Sequence, residues 1–253
     1  MWGMNDKAVS GPSDPKSHTT RPIVTGASVL GVKYNGGVML AADTLLSYGS
    51  MAKTMDASRL IEIDQTLIGA SGEYSDFQAI QEMLEAKSLE MQSGLLQERD
   101  GNEPPMTARS MWNYLRVVMY HRRNKMNPLW NNVVVCGKDG TKEGEFFLGV
   151  VDRLGTTVED NIMATGFGSY MGIPLLREKW RADMDEGEAR ALLEDCMKVL
   201  FYRDCRAASR IQLAKVSADG VLISEPYELE TNWDGSTTIP LQTPLALPGT
   251  MNG

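Results

Sequence analysis

Histidine and cysteine are scarce in this chain, and acids outnumber bases. Two histidines (His18, His121) and three cysteines (Cys136, Cys196, Cys205) show no metal-ligand spacing, so no zinc site and no metal are expected. The odd cysteine count fits reduced intracellular thiols. A net charge of −8 opposes a general nucleic-acid binder, because neutralising phosphates takes clustered Lys and Arg. No apolar run approaches the roughly 18 residues that a membrane span needs. Residues 1–18 lack the apolar centre of a signal peptide, and Asp6 and Asp14 are foreign to a mitochondrial presequence. Their Gly, Pro and Ser content reads as a flexible leader. No membrane association is expected, and the cytosol or nucleus is the expected location.

What remains is an ordinary globular composition, 42% apolar and 23% charged over 253 residues, enough for one large domain. Its most informative stretch is Thr25 to Asp43, TGASVLGVKYNGGVMLAAD. Asn35-Gly36 is a strong hairpin signal, since both residues tolerate positive φ. Leu30, Val32 and Tyr34 alternate with Val29, Gly31 and Lys33, the period of a half-buried strand. Gly37 to Ala42 is apolar on both faces, as in a strand covered on both sides. Asp43 ends that run, and a carboxylate there must be a structural acceptor or part of a site.

The following TLLSYGSMAKTMDAS reads as a connecting loop pivoting on Gly49. Arg59–Asp64 and Leu67–Gly72 then form an antiparallel pair turning at Gln65-Thr66. A helix spans Glu73 to Met91, with Phe77, Ile80, Leu84 and Met91 inward. After the acidic loop ERDGNEPP, Thr107 caps a second helix that buries Met111, Leu115, Val118 and Met119. Its end, HRRNK, places bases where the helix dipole favours them, so the cluster at 121–125 is expected to be a solvated helix end, with a partner-binding patch as the alternative. Val133–Gly137 and Glu145–Val151 read as a hairpin turning at Asp139-Gly140. Another strand ends at Asn161–Thr165, and Gly166-Phe167-Gly168-Ser169 turns into helical segments at Pro174–Lys179 and Glu186–Asp204. The second helix buries Leu192, Leu193, Cys196, Val199 and Leu200. A lone GxG is weak evidence for phosphate binding, and no cofactor is implied. A last pair, Ile211–Val216 and Val221–Ser224, turns at Asp219-Gly220. Residues from Asn232 form a Pro/Thr-rich extended tail. Strand runs alternating with helix pairs suit two stacked antiparallel sheets covered by helices outside.

The hairpin with GGVMLAAD, the SYGS loop, GASGEYSDF, ATGFGS and YRDCR resemble, in order over residues 19–230, the beta subunits of the proteasome. TTRPIVTG, MYHRRNKMNPLWN and ATGFGSYMGIPLLR further resemble one eukaryotic subunit type within that family. The resemblance implies an α+β fold, the four-layer αββα sandwich of N-terminal-nucleophile hydrolases. It also implies assembly with alpha and beta subunits in a four-ring barrel that degrades proteins, including those marked by ubiquitin.

Active members of that family attack with an N-terminal Thr hydroxyl whose own amine is the base, beside an Asp, a Lys and supporting Ser and Asp residues. Here the nucleophile position is Ala27, the Lys position is Arg59, and the two Ser positions are Phe167 and Ala207; Asp43 and Asp204 remain. The oxyanion glycine falls on Glu73, with Gly72 one position short. A non-catalytic subunit is therefore expected, with both acids as structural acceptors that could pair with Arg59. The competing reading is a threonine peptidase with a displaced nucleophile at Thr19, Thr20 or Thr25; a free-standing amidohydrolase is a weaker third. The resemblance places leader cleavage between His18 and Thr19. Thr19 lies eight residues ahead of Ala27, so residues 19–26 are expected along a neighbouring surface. In the family member it resembles, the tail (here 232–253) reaches the opposite beta ring. The domain proper is then 19–231.

Overall fold

The computed structural model describes residues 20–93, 106–139 and 145–233; the expected leader, the acidic loop, Gly140 and the tail past Trp233 lie outside the described residues. One sheet contains β2 (Val29–Tyr34), β3 (Gly37–Asp43), β11 (Ile162–Ala164), β12 (Arg210–Ser217), β13 (Gly220–Ile223) and β14 (Tyr227–Glu228). Its order is β11-β2-β3-β12-β13, with β14 also on β12. The other contains β1 (Val24–Gly26), β4 (Leu46–Tyr48), β5 (Met51–Thr54), β6 (Leu60–Ile63), β7 (Thr66–Glu73), β8 (Asn131–Lys138), β9 (Phe146–Val151) and β10 (Thr157–Glu159). It runs β10-β9-β8-β7-β1-β4-β5, with β6 also on β7. Every pairing is antiparallel.

The period-two pattern sorts each strand into two cores. In β2 and β3, Leu30, Val32, Met39 and Ala41 face α3 (Gly168–Lys179) and α4 (Glu186–Arg203). Val29, Val38, Leu40 and Ala42 meet Leu60, Leu67, Val134 and Leu148 between the sheets. Outside the second sheet, α1 (Tyr74–Gln92) and α2 (Ala108–Asn124) close a third core on Ile68, Val133, Val135 and Phe147. The result is the expected αββα sandwich. Because both its faces are covered, β2 is buried along its length except at Lys33, rather than half-buried.

The turns fall where backbone chirality allows. Asn35-Gly36 closes the first hairpin as expected, but of the two only Gly36 has positive φ (108°). Asp64-Gln65 turns the second pair, one residue earlier than expected, both residues lying at positive φ (50° and 62°). The last pair turns at Ala218-Asp219, also one residue early, with Gly220 as the first paired residue. The expected connecting loop around Gly49 is itself a hairpin, β4 to β5, turning at Gly49-Ser50. The β8–β9 ladder ends at Lys138 opposite Phe146, so its connection is longer than an Asp139-Gly140 turn. Helix α3 begins six residues before Pro174, which sits inside it and has no N–H to give the Tyr170 carbonyl. Thr107 accepts the Ser110 N–H as the expected cap, and Asp185 with Glu188 forms a capping box on α4. Met197 takes the fully buried place expected of Val199.

The chain leaves the domain along α4. Trp233 lies edge-on to Phe201 and Tyr202, at 5.5 and 5.0 Å between ring centres, and Asn232 N–H donates to the Tyr202 hydroxyl. The three cysteines are free thiols: Cys136 and Cys196 are buried and Cys205 is exposed. Burial alone pushes the Cys136 thiol far up, and burial first of all pushes Cys196 up to about 12. Maleimide labelling of the native full-length chain at mildly alkaline pH is therefore expected to give one adduct, at Cys205. Labelling of Cys136 or Cys196 before denaturation would contradict this packing.

Candidate functional site

The site lies where the chain crosses from one sheet to the other. β1 belongs to the second sheet and β2 to the first, so Ala27 and Ser28 form the crossing, and the strand carrying the hairpin starts at Val29 rather than at Ala27. Residues 24–26 do not run along a neighbouring surface as expected. They are woven between β7 and β4, with Thr25 opposite Glu73 and Ser47, and Gly26 opposite Gly72 and Leu46.

Behind the crossing sits Arg59, 2% exposed. Its Nε donates to the Asp43 carbonyl (3.1 Å), and Nη1 donates to the carbonyls of Ala27 (3.0 Å) and Ala70 (3.2 Å). Nη2 donates to the Ser28 carbonyl (3.0 Å) and to Asp43 Oδ1, the latter a buried ion pair. All five N–H groups of the guanidinium are thus engaged. Asp43 Oδ2 accepts the Ala208 N–H (3.0 Å). Burial pushes the Asp43 carboxyl up, against the pull of Arg59 and the Ala208 amide. A Cβ at Gly26 would overlap Arg59 Cδ, so this guanidinium also demands glycine there.

Asp204, the C-cap of α4, behaves otherwise. It does not pair with Arg59; its Oδ1 accepts the Arg206 N–H (2.9 Å), and its carbonyl accepts the Ala207 N–H (3.0 Å). Phe167 is 55% exposed at the start of α3. A cavity of about 240 Å³ beside Ala27 is lined by Thr25, Gly72, Phe167 and Asp204 among others.

At the position where the resemblance puts an oxyanion glycine, the Glu73 N–H donates to the Trp130 carbonyl (3.0 Å). Gly72 has φ of 106°, and a Cβ there would overlap the same carbonyl. The Glu73 side chain takes a role that sequence reasoning missed. Its Oε2 accepts the N–H groups of Ile23 and Val24, and its Oε1 accepts the Ser75 hydroxyl (3.1 Å). A Glu in place of a glycine was the available signal. Ser28 and Thr165 were also missed: Ser28 Oγ accepts the Gly168 N–H (2.8 Å), and Thr165 Oγ1 accepts the Val29 N–H (3.0 Å), so both fasten the crossing to the turn before α3.

Asp43→Ala is expected to destabilise the chain by about 3–5 kcal/mol, since it strands a buried guanidinium; adding Arg59→Met should not recover the loss, because the carbonyls of Ala27, Ser28, Asp43 and Ala70 then lose their donor. Denaturant melts of the full-length chain check this; wild-type stability in the double variant would contradict it.

A family model for proteasome subunits matches residues 23–216. Proteasome subunit beta type-4 of Xenopus laevis is 44% identical over 223 residues, 87% of this chain and 88% of that protein. The beta type-4 subunit of Arabidopsis thaliana is 41% identical over 225 residues, 88% of each chain. Proteasome subunit beta type-7 of Saccharomyces cerevisiae is 36% identical over 238 residues, 91% of this chain and 88% of that one. With the two antiparallel sheets and four flanking helices of the described residues, these matches settle the family: the chain belongs to the proteasome subunits, among those of beta type.

Proposed function

We propose that this chain is the non-catalytic beta subunit corresponding to beta type-4, or beta-7, of the 20S proteasome core. Its work is structural: closing the beta ring, lining the chamber and joining the two half-particles in a complex that carries out ubiquitin-dependent proteolysis. One observation carries the reading. Ala27, which the resemblance puts at the nucleophile position, is a methyl group in mid-chain, with the preceding residues built into the second sheet as β1. It offers no hydroxyl and no free α-amine, and the acyl transfer of this family needs both. Arg59 cannot serve as a Lys of tuned pKa, because a guanidinium stays charged and every N–H is taken. Glu73 gives no free oxyanion donor.

The displaced-nucleophile alternative fares worse on the same grounds. Thr25 is fixed within β1 between two partner strands, and Thr20 is exposed before it. Thr19 and the proposed cleavage after His18 lie outside the described residues. Partners on this reading are the other alpha and beta subunits, in the cytoplasm and nucleus, with no cofactor. The proposed division is a leader at 1–18, the domain at 19–231 and a tail at 232–253 that crosses to the opposite ring.

An epoxyketone probe applied to the assembled particle should label other beta subunits and leave this chain unmodified. Ala27→Thr should not restore labelling, because the new hydroxyl would still sit in mid-chain beside a spent amide. Adduct formation on this chain at any Thr would overturn the non-catalytic assignment. Deleting residues 234–253, while keeping the Trp233 contact, should slow the joining of half-particles on native gels; unchanged joining would remove the tail from that role.

A further inference from the structure

Charge is not spread evenly along this chain. Residues 104–138 hold no Asp or Glu at all, in a sequence with 33 of them, yet they carry Arg109, Arg116, Arg122, Arg123, Lys125 and Lys138. Two of these cations are used inside the fold. Arg109 forks onto Asp139 and Glu159, and Lys138 donates to the Ala218 carbonyl. The other four have no carboxylate partner among the described residues.

The fold adds a fifth cation from elsewhere in the sequence. Gly155, at φ 83°, lies so close to α2 that a Cβ there would meet the Tyr120 nitrogen at 2.8 Å and the Arg116 carbonyl at 3.0 Å. That contact seats the β9–β10 turn, with Arg153, against the last turns of α2. Asp152 is the acid of this turn, and its Oδ1 is occupied by the N–H groups of Leu154 and Thr156 (2.8 Å each). Two guanidiniums rest on rings instead of carboxylates: Arg153 lies 5.0 Å from the Trp130 ring centre, and Arg123 lies 6.0 Å from that of Tyr120. Such stacking orients a cation without neutralising it.

The helix dipole accounts for Arg122 and Arg123 in the last turn of α2, but its reach ends there. It explains neither Arg116, about two turns earlier, nor Arg153 on another element. Among the cations stand exposed apolar side chains: Met126 (81%), Tyr120 (49%), Leu154 (43%) and Val117 (42%). Cations without counter-ions, interleaved with exposed apolar groups, form a surface built to be covered. A nucleic acid fits poorly, because the chain's net charge of −8 repels a polyanion and phosphates offer nothing to Met126 or Leu154.

We infer that the C-terminal half of α2, with the β9–β10 turn, docks an acidic protein segment of another chain, one that sets Asp or Glu side chains against Arg116, Arg123, Lys125 and Arg153 and apolar side chains against Met126 and Leu154. The partner being a companion subunit rests on the assembly proposed above.

A zero-length carbodiimide, which joins amines only to carboxylates in direct contact, tests this on the purified particle. The expected product is an amide between Lys125 and an Asp or Glu of another chain. Full-length Arg116→Glu/Arg123→Glu should enter the particle about tenfold less than wild type or more weakly still, while Arg116→Lys/Arg123→Lys enters normally. A particle that contains this chain, shows no interchain link at Lys125 and leaves Lys125 open to an acylating reagent would overturn the docking surface and leave the assembly intact. Protection of Lys125 by a single-stranded oligonucleotide, with no such link, would replace the protein partner by a nucleic acid and overturn the inference. Size-exclusion showing no large particle would instead overturn the assembly itself.

Discussion

A single buried cation joins the parts of the molecule that meet at its site. Moving a guanidinium out of water costs several kcal/mol, and the fold recovers that cost only if each N–H finds an acceptor. Arg59 meets the condition completely, reaching the end of β3, the crossing between β1 and β2, and the middle of β7. These segments come from both sheets, so the sandwich is locked at this edge by one side chain. A lysine would not make the same set of contacts. Its three donors radiate from one nitrogen, whereas these acceptors lie in the fork that a planar group presents.

Glu73 plays a comparable structural part. Stabilising an oxyanion takes amide donors in a site free of negative charge. Here the amide is committed to Trp130, and a carboxylate stands beside it. That carboxylate is not idle. By accepting two amides from residues 23 and 24 it holds β1 in place, and β1 in turn fills the space between β7 and β4. Glu73 therefore commits its amide to Trp130 and, with its carboxylate, secures β1 beside the site.

Much of this architecture could be read from the sequence, because long strands and helices declare themselves by period. β3, with apolar residues on both faces, was legible as a doubly covered strand, and Phe77, Ile80 and Leu84 as the inner stripe of α1. What escaped was short or decided by tertiary contact. β1, β10 and β14 have two or three residues each, too few to show a period, and exist because a neighbouring edge offers partners. The turns at 64–65 and 218–219 slipped by one residue because pairing register, set by the core, outweighed local turn preference. At the site, the Arg59–Asp43 pair was open to inference from residue types, but Asp204 was not separable from Asp43 without coordinates. The contacts of Ser28, spanning 140 residues to Gly168, leave no local trace.

This distribution of roles changes how the family's pattern is weighed in this chain. Asp43 anchors Arg59 and the Ala208 amide, Gly26 makes room for that guanidinium, Gly72 passes the Trp130 carbonyl, and Asp204 closes the end of α4. Each has a structural reason to persist whether or not a bond is ever cleaved, so their presence says little about catalysis. Ala27 and Phe167 are different. One presents a methyl group to a cavity and the other a half-exposed ring, and neither is held there by a hydrogen bond of its side chain. Packing leaves these two positions free, so they bear on the proposed loss of catalysis more directly than the acids and glycines with structural roles do.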